Sequence, residues 1–269
     1  MHGFLEQVIA RRRERVQKAR ALVPYDHLAA RLPERAGRPS SPVGRIVRSC
    51  GFIIAEIKRA SPSRGRITAH ADVVERALAY ERGGADAISV LCEPDYFCGS
   101  SEDVAAVARS VRVPVLCKDF VVDPYQLVQA RHDGASWVLL IARVLGEALG
   151  AYVERALDLG LEPLVEVHSE PELRHAVASG ARVIGINSRD LDTFHVDFDT
   201  VKTLAPLVPP GSATIAESGI RDEADLRALA DAGAHGFLIG EALMRSSDPE
   251  SMLRGFGRAL GRAEVAVLQ

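Results

Sequence analysis

The sequence is poor in cysteine, with four in 269 residues, and poorer still in tryptophan, with one. Cys50, Cys92, Cys98 and Cys117 include no CxxC pair and no compact Cys/His cluster. That spacing argues against a disulfide framework and a zinc site, so reduced thiols, no metal and a cytoplasmic location are expected. No apolar run approaches the roughly 18 residues of a membrane span, so no membrane partner is expected. The first twenty residues, MHGFLEQVIARRRERVQKAR, lack the apolar centre of a secretory signal. They also carry Glu6 and Glu14, which a transit peptide avoids. Excess charge of one sign is absent too: the net charge of -3 gives no reason to expect nucleic acid as a partner.

What is present is a repeat. After residue 50, eight short runs rich in Val, Ile and Leu alternate with amphipathic stretches. The runs are FIIAEIK (52–58), DAISVL (86–91), VPVLCK (113–118), SWVLLI (136–141), EPLVEV (162–167), RVIGIN (182–187), SATIAE (212–217) and HGFLIG (235–240). Near-continuous apolar strands of this kind are buried on both faces. Helical patterns between them close on Gly83, Gly134, Gly180 and Gly233, expected as left-handed C-caps. Eight strand–helix units in series fit an α/β fold that closes as a single (β/α)8 TIM barrel. An open doubly wound sheet is the alternative, but its Gly-rich fingerprint is missing, since RASPSRG follows the first strand.

Residues 1–48 stand outside the repeat as a helical extension, and 49–269 form the expected barrel domain. Leu5, Val8, Ile9, Arg12 and Val16 share one helical face, with Arg11, Arg13, Arg15 and Lys18 around the rest. A solvated basic helix packed on the barrel is expected, and a membrane-surface or RNA-binding helix is the alternative. Residues 33–44, PERAGRPSSPVG, read as a linker.

Polar residues fall at the C-terminal ends of the runs. Glu56 and Lys58 alternate on one face of the first strand. Lys118, Glu166, Asn187 and Glu217 end the third, fifth, sixth and seventh runs. In a β/α barrel those ends converge on one mouth, where active sites of this architecture sit. Any one of them alone reads equally as the first solvated residue of a loop; five strands doing the same thing argue for a shared site. Asp119 is expected to be solvated or a structural partner. Downstream, ESGI (217–220) and IGEALMR (239–245) place Gly219 and Gly240 at a turn and before a short helix. Exposed backbone N–H groups there suit a phosphate.

The motifs AEIKRASPSRG, ISVLCEPDYFCGS, VPVLCKDFVVDPYQ, LVEVHSEPEL, IGINSRDL, IAESGI and LIGEALM, in this order, resemble the indole-3-glycerol phosphate synthase family. The resemblance implies ring closure of 1-(2-carboxyphenylamino)-1-deoxyribulose 5-phosphate with loss of carbon dioxide and water, and no cofactor. It implies a phosphorylated small-molecule substrate and, as partners, other enzymes of tryptophan biosynthesis. By the same resemblance Lys118 is the general acid and Glu166 the general base. Lys58 pairs with the substrate carboxylate, Glu56 holds Lys58, and Asn187 and Glu217 complete the pocket. Ser61, Arg189, Ser218, Gly219, Gly240 and Glu241 fall at phosphate-contacting positions, and Phe97, Phe120 and Leu191 at positions around the aromatic ring. Phe120 shares a face with Lys118 if the third strand continues that far.

Three residues depart from the family pattern. Glu241 would repel phosphate with its carboxylate, so only its backbone N–H suits that contact. Cys92 and Trp137 touch neither the acid nor the base, and their effect on pocket shape is left open. The competing readings are another phosphate-binding barrel, such as a sugar-phosphate isomerase, and a non-catalytic barrel partner. The isomerase has no use for two lysines at the first and third strands, and the non-catalytic partner would have lost a strand-end charge. Imine chemistry on Lys118 is not expected, because neighbouring glutamates keep it protonated.

Overall fold

The computed structural model describes residues 3–32, 41–49, 51–62, 65–67 and 72–262. Eight parallel strands close into a barrel: β1 (Phe52–Ile57), β2 (Ala87–Leu91), β3 (Val115–Lys118), β4 (Trp137–Ile141), β5 (Glu162–Val167), β6 (Val183–Asn187), β7 (Ala213–Glu217) and β8 (Gly236–Ile239). β1 completes the ring by pairing with both neighbours, Phe52 beside Gly236 and Glu56 beside Ser89. The closed barrel is therefore the architecture, and the open sheet is excluded.

Alternation along each strand makes two cores. One set of alternate residues, including Phe52, Ile54, Leu116, Trp137, Leu139, Leu164, Val183, Ile215 and Leu238, fills the barrel interior. The intervening set, including Ile53, Val90, Val138, Val165, Ile184 and Phe237, packs against the surrounding helices. Glu56, Glu166 and Glu217 each lie two residues beyond an interior side chain, so the same parity that buries Ile54, Leu164 and Ile215 aims these carboxylates inward.

The helices are α1 (Phe4–Leu22), α2 (Tyr25–Ala29), α3 (Val43–Arg48), α4 (Val73–Arg82), α5 (Ser101–Ser110), α6 (Pro124–His132), α7 (Ala142–Leu145), α8 (Leu149–Asp158), α9 (Glu170–Ala178), α10 (Asp199–Leu204), α11 (Glu223–Asp231), α12 (Glu241–Arg245) and α13 (Pro249–Ala259). Local chemistry starts them where the chain leaves a strand. Asp72, Ser100, Ser169 and Asp222 cap α4, α5, α9 and α11 by accepting from backbone N–H groups. Asp123 and Gln126 form a reciprocal capping box on α6, with Pro124 at its first position. Each cap is worth about 1 kcal/mol.

Two expectations change here. Gly134, Gly180 and Gly233 take the left-handed turn, at φ 88, 82 and 101°, but Gly83 does not. It is still right-handed at φ -74°, and Gly84 turns instead at φ 90°. The second concerns the linker: 33–40 lies outside the described residues, and its end is already helical from Val43. Composition hid this, because Val43 and Ile46 enter a helix only by burying themselves with Phe52 and Ala213 at the N-terminal end of the barrel.

α1 lies at the other end. Leu5 and Val8 join the interior cluster, and Val16 packs with Leu28, Tyr125 and Val128. The ring of Phe4 sits 5.0 Å from those of Tyr96 and Phe194, in the loops after β2 and β6. The basic helix thus packs on the barrel through Leu5, Val8 and Val16. Among the described residues no helix is long and apolar enough to cross a membrane.

Candidate active site

A cavity of about 960 Å³ opens at the C-terminal ends of the strands, within the range of small-molecule sites. Its wall includes Glu56, Lys58, Lys118, Glu166, Asn187 and Glu217. Ser61, Arg189, Ser218, Gly219, Gly240 and Glu241 line it too, as do Phe97, Phe120 and Leu191. Every residue singled out in the sequence as a site candidate therefore faces one space.

The floor is an interlocked charge cluster. Lys58 lies one residue past the end of β1 and donates to Glu56 Oε1 at 2.7 Å. Lys118 Nζ stands 3.7 Å from Glu166 Oε2, 3.7 Å from Glu217 Oε2 and 3.9 Å from Glu56 Oε2. Burial opposes the Lys118 ammonium, but Glu166, Glu217 and Glu56 overcome that and raise its pKa above the ordinary lysine value. Burial likewise pushes Glu56 up, and Lys58 and Lys118 outweigh it, holding the carboxyl below its usual range. Glu217 shows the opposite balance: burial and then the charge of Glu166 push it up to about 8, against Lys118.

Two glycines make room for this cluster. A Cβ on Gly185, paired in register with Glu166, would collide with Glu217 Oε1. One on Gly240 would reach Glu56 Oε1 and come within 3.1 Å of Lys58 Nζ. Nearby, Asn187 Oδ1 accepts from the Arg189 backbone at 3.0 Å, and Arg189 donates to Phe194 O at 3.1 Å. Ser218 and Gly219 both have positive φ, 69 and 81°, which is uncommon for serine. Ser61 Oγ is buried and lacks a hydrogen-bond partner.

Strand β3 ends at Lys118, so Phe120 reaches the cavity from a loop, not from the strand. Its ring lies 6.2 Å from that of Phe97. Asp119 is a structural partner: it is buried against Arg12 of α1 and accepts from Gln126 at 3.1 Å. Among the described residues no group of three or more His, Cys, Asp or Glu is arranged to hold a metal ion.

The family model described as indole-3-glycerol phosphate synthase matches residues 5–256. The chain belongs to the indole-3-glycerol phosphate synthase family. It is 47% identical to the synthase of that name from Mycolicibacterium gilvum over 249 residues, 92% of this chain and 91% of that one. With the synthase of Carboxydothermus hydrogenoformans it shares 43% over 258 residues, 93% and 98% of the two chains. A thiamine phosphate pyrophosphorylase from Pyrococcus furiosus superposes with a TM-score of 0.61 at 17% identity, covering 80% of this chain and 98% of that one. That likeness concerns the barrel fold alone.

The departures from the family pattern find places. Trp137 stacks on Phe52 at 5.9 Å, deep in the barrel and away from the cavity wall. Cys92 lies behind the wall, with its Sγ 3.4 Å from that of Cys117. Neither lines the cavity. Glu241 does line it, and Arg245 stands 3.3 Å from its carboxylate, offsetting the charge.

Sequence reading missed several groups. Phe4 lines the cavity from α1, and nothing local marks it, because the contact depends on where the helix docks. His168 is different. Its Nε2 stands 3.4 Å from Glu166 Oε1 and its Nδ1 3.3 Å from Glu172 Oε2. Being two residues beyond Glu166, it was open to the alternation argument already used for Glu56 and Lys58.

Proposed function

We propose that the charged floor performs the family's reaction by acid–base catalysis, with Lys118 as acid and Glu166 as base. As a member of the family, the chain is a carboxy-lyase of tryptophan biosynthesis acting on a phosphorylated small molecule. The observation that carries the assignment is the Lys118 ammonium held among three carboxylates at 3.7 to 3.9 Å. A lysine so held donates a proton and is a poor nucleophile.

The proton balance follows from the chemistry. As the aromatic carbon attacks the ketone, the ketone oxygen takes one proton from Lys118. The carboxylate then leaves as neutral carbon dioxide, and its bonding pair returns to the ring system. The new hydroxyl takes a second proton and leaves as water, while Glu166 removes one proton from the adjacent carbon. Two protons are delivered and one recovered, so each turnover takes up one proton from solvent.

Lys58, which donates to Glu56, receives the substrate carboxylate in this reading, and Asn187 and Glu217 complete the polar wall. Phe97, Phe120 and Leu191 offer apolar surface for the ring. The unpartnered Ser61 hydroxyl, Arg189 and the Ser218–Gly219 turn support a phosphate site, with the Gly240 and Glu241 backbone beside it. We also keep 1–48 and 49–269 as extension and barrel of one catalytic unit, because Phe4 of the extension lines the cavity. Free Cys92, Cys98 and Cys117 support a reducing, cytoplasmic setting, with other enzymes of the pathway as expected partners.

The test is indole-ring formation by Lys118→Ala and Glu166→Gln. Each is expected to lower kcat by about a hundredfold or more while the protein stays folded. Near wild-type turnover in either variant, or substrate trapped on Lys118 by borohydride, contradicts the assignment.

A further inference from the structure

The proton balance leaves a physical requirement: a route by which one proton per turnover reaches a floor that is almost fully buried. Glu166 has 1% of its side chain exposed, and Lys118 16%. A substrate bound in the cavity would cover the open side of that floor. Among the described residues, a chain of titratable groups lies behind it. His168 follows the end of β5 and is absent from the cavity wall. Its ring stands between Glu166, at 3.4 Å, and Glu172 on α9, at 3.3 Å. Glu172 also accepts from the His168 backbone N–H at 2.8 Å, which fixes the two residues together at the start of the helix. Glu172 is 18% exposed and so reaches towards solvent.

The two facing atoms, His168 Nε2 and Glu166 Oε1, are each buried without a hydrogen-bond partner. A buried carboxylate oxygen and a buried ring nitrogen both cost free energy in that state. A small rotation of the ring or the carboxylate joins them.

We propose that His168 is a positioning residue for this reaction, steering the Glu166 carboxylate and passing protons between it and solvent through Glu172. The inference rests on Glu166 being the base. Starting from the Nε2–H tautomer, Nδ1 takes a proton from Glu172 to give the imidazolium. The imidazolium passes its Nε2 proton to Glu166, and Glu166 passes it to Lys118, 3.7 Å away. Proton exchange with solvent then restores the Nε2–H tautomer. No bond other than N–H and O–H changes, and solvent supplies the proton. The charges facing His168 are Glu166 on β5, Glu172 on α9 and Arg143 on α7, the last tied to Asp192 at 3.1 Å. Lys118 and Glu217 lie beyond Glu166. Burial works to lower the His168 pKa, but Glu172 and Glu166 overcome it against Arg143, so the ring stays protonated to higher pH than an ordinary histidine.

The experiment is the pH profile of kcat and KM for wild type, His168→Asn, Glu172→Gln and Glu166→Gln. His168→Asn is expected to lower kcat about ten- to hundredfold with little change in KM, and to abolish the alkaline limb set by the imidazolium. Glu172→Gln removes the partner that raises the ring, so the same limb is expected to move to lower pH. Imidazole in the buffer is expected to restore part of kcat to His168→Ala, which a merely structural role does not allow. Wild-type kcat with an unmoved limb in His168→Asn overturns the inference, and so does an unmoved limb in Glu172→Gln should the histidine variants fail to fold. If Glu166→Gln is inactive in that case, the base assignment survives. An active Glu166→Gln removes the base assignment itself and the proton relay with it.

Discussion

Strand β5 carries two buried glutamates on the same face, four residues apart, and the barrel treats them in opposite ways. Glu166, at the C-terminal end, has Lys118 at 3.7 Å and His168 at 3.4 Å. Glu162, at the N-terminal end, has an Oε2 without any hydrogen-bond partner. Burial pushes Glu162 up to about 7, and Arg182 only partly opposes the shift. The same residue type on the same strand is a member of a charge cluster at one end and a solitary titrating group at the other. Burial alone therefore does not mark a functional carboxylate; the opposite charges brought by neighbouring strands do.

The widest separation between the two ends lies in catalysis. Lys118→Ala or Glu166→Gln is expected to cost the hundredfold or more given above, while Glu162→Gln leaves kcat within about twofold, since it touches no group of the mouth. A large loss of turnover in Glu162→Gln erases the contrast.

Next in size is the buried Arg12–Asp119 pair, which ties the extension to the loop beside Lys118. Both side chains are nearly enclosed, at 12% and 6% exposed. Asp119→Ala leaves the Arg12 guanidinium without its partner and is expected to lower unfolding stability by about 3–5 kcal/mol in urea denaturation. A loss no larger than that of an exposed ion pair, about 1 kcal/mol, denies the pair its structural role.

Smaller again is Gly185→Ala. Its methyl group would occupy the space of Glu217 Oε1 and approach Leu164 at 3.4 Å. Overpacking of this kind costs about 1–3 kcal/mol in stability, and displacing Glu217 from Lys118 is expected to lower kcat about tenfold. Unchanged stability and turnover show that the floor tolerates the shift.

How far all this was readable from sequence depends on whether the signal is local. Strand parity placed Glu56, Lys58, Lys118, Glu166, Asn187 and Glu217 on one mouth, because a two-residue period survives any tertiary detail. Glycine turns were legible to within a residue, and Gly83 and Gly84 exchanged places because both can adopt either conformation. Phe4, the helical start at Val43 and the Arg12–Asp119 pair were not legible, since each depends on how a helix docks on the finished barrel. Gly185 left no trace either: the need for a missing Cβ is set by Glu217, more than thirty positions away along the chain.

The most delicate way to sharpen the comparison is the pH dependence of stability at the N-terminal end. The Glu162 pKa is raised on folding, from 4.5 to about 7, so the folded chain holds that proton more tightly than the unfolded chain. Its contribution is fully present below pH 4.5 and is lost as pH rises towards 7. Glu162→Gln mimics the neutral acid and cannot titrate. It is expected to match wild type at low pH and to exceed it by about 1–3 kcal/mol at pH 8, read from urea midpoints at the two pH values. Glu217, pushed up to about 8, titrates over an overlapping window in both proteins and cancels in the difference. A Glu162→Gln variant that loses stability at pH 8 means that the carboxylate has a favourable partner at that end, and the two ends of β5 then differ in degree and not in kind.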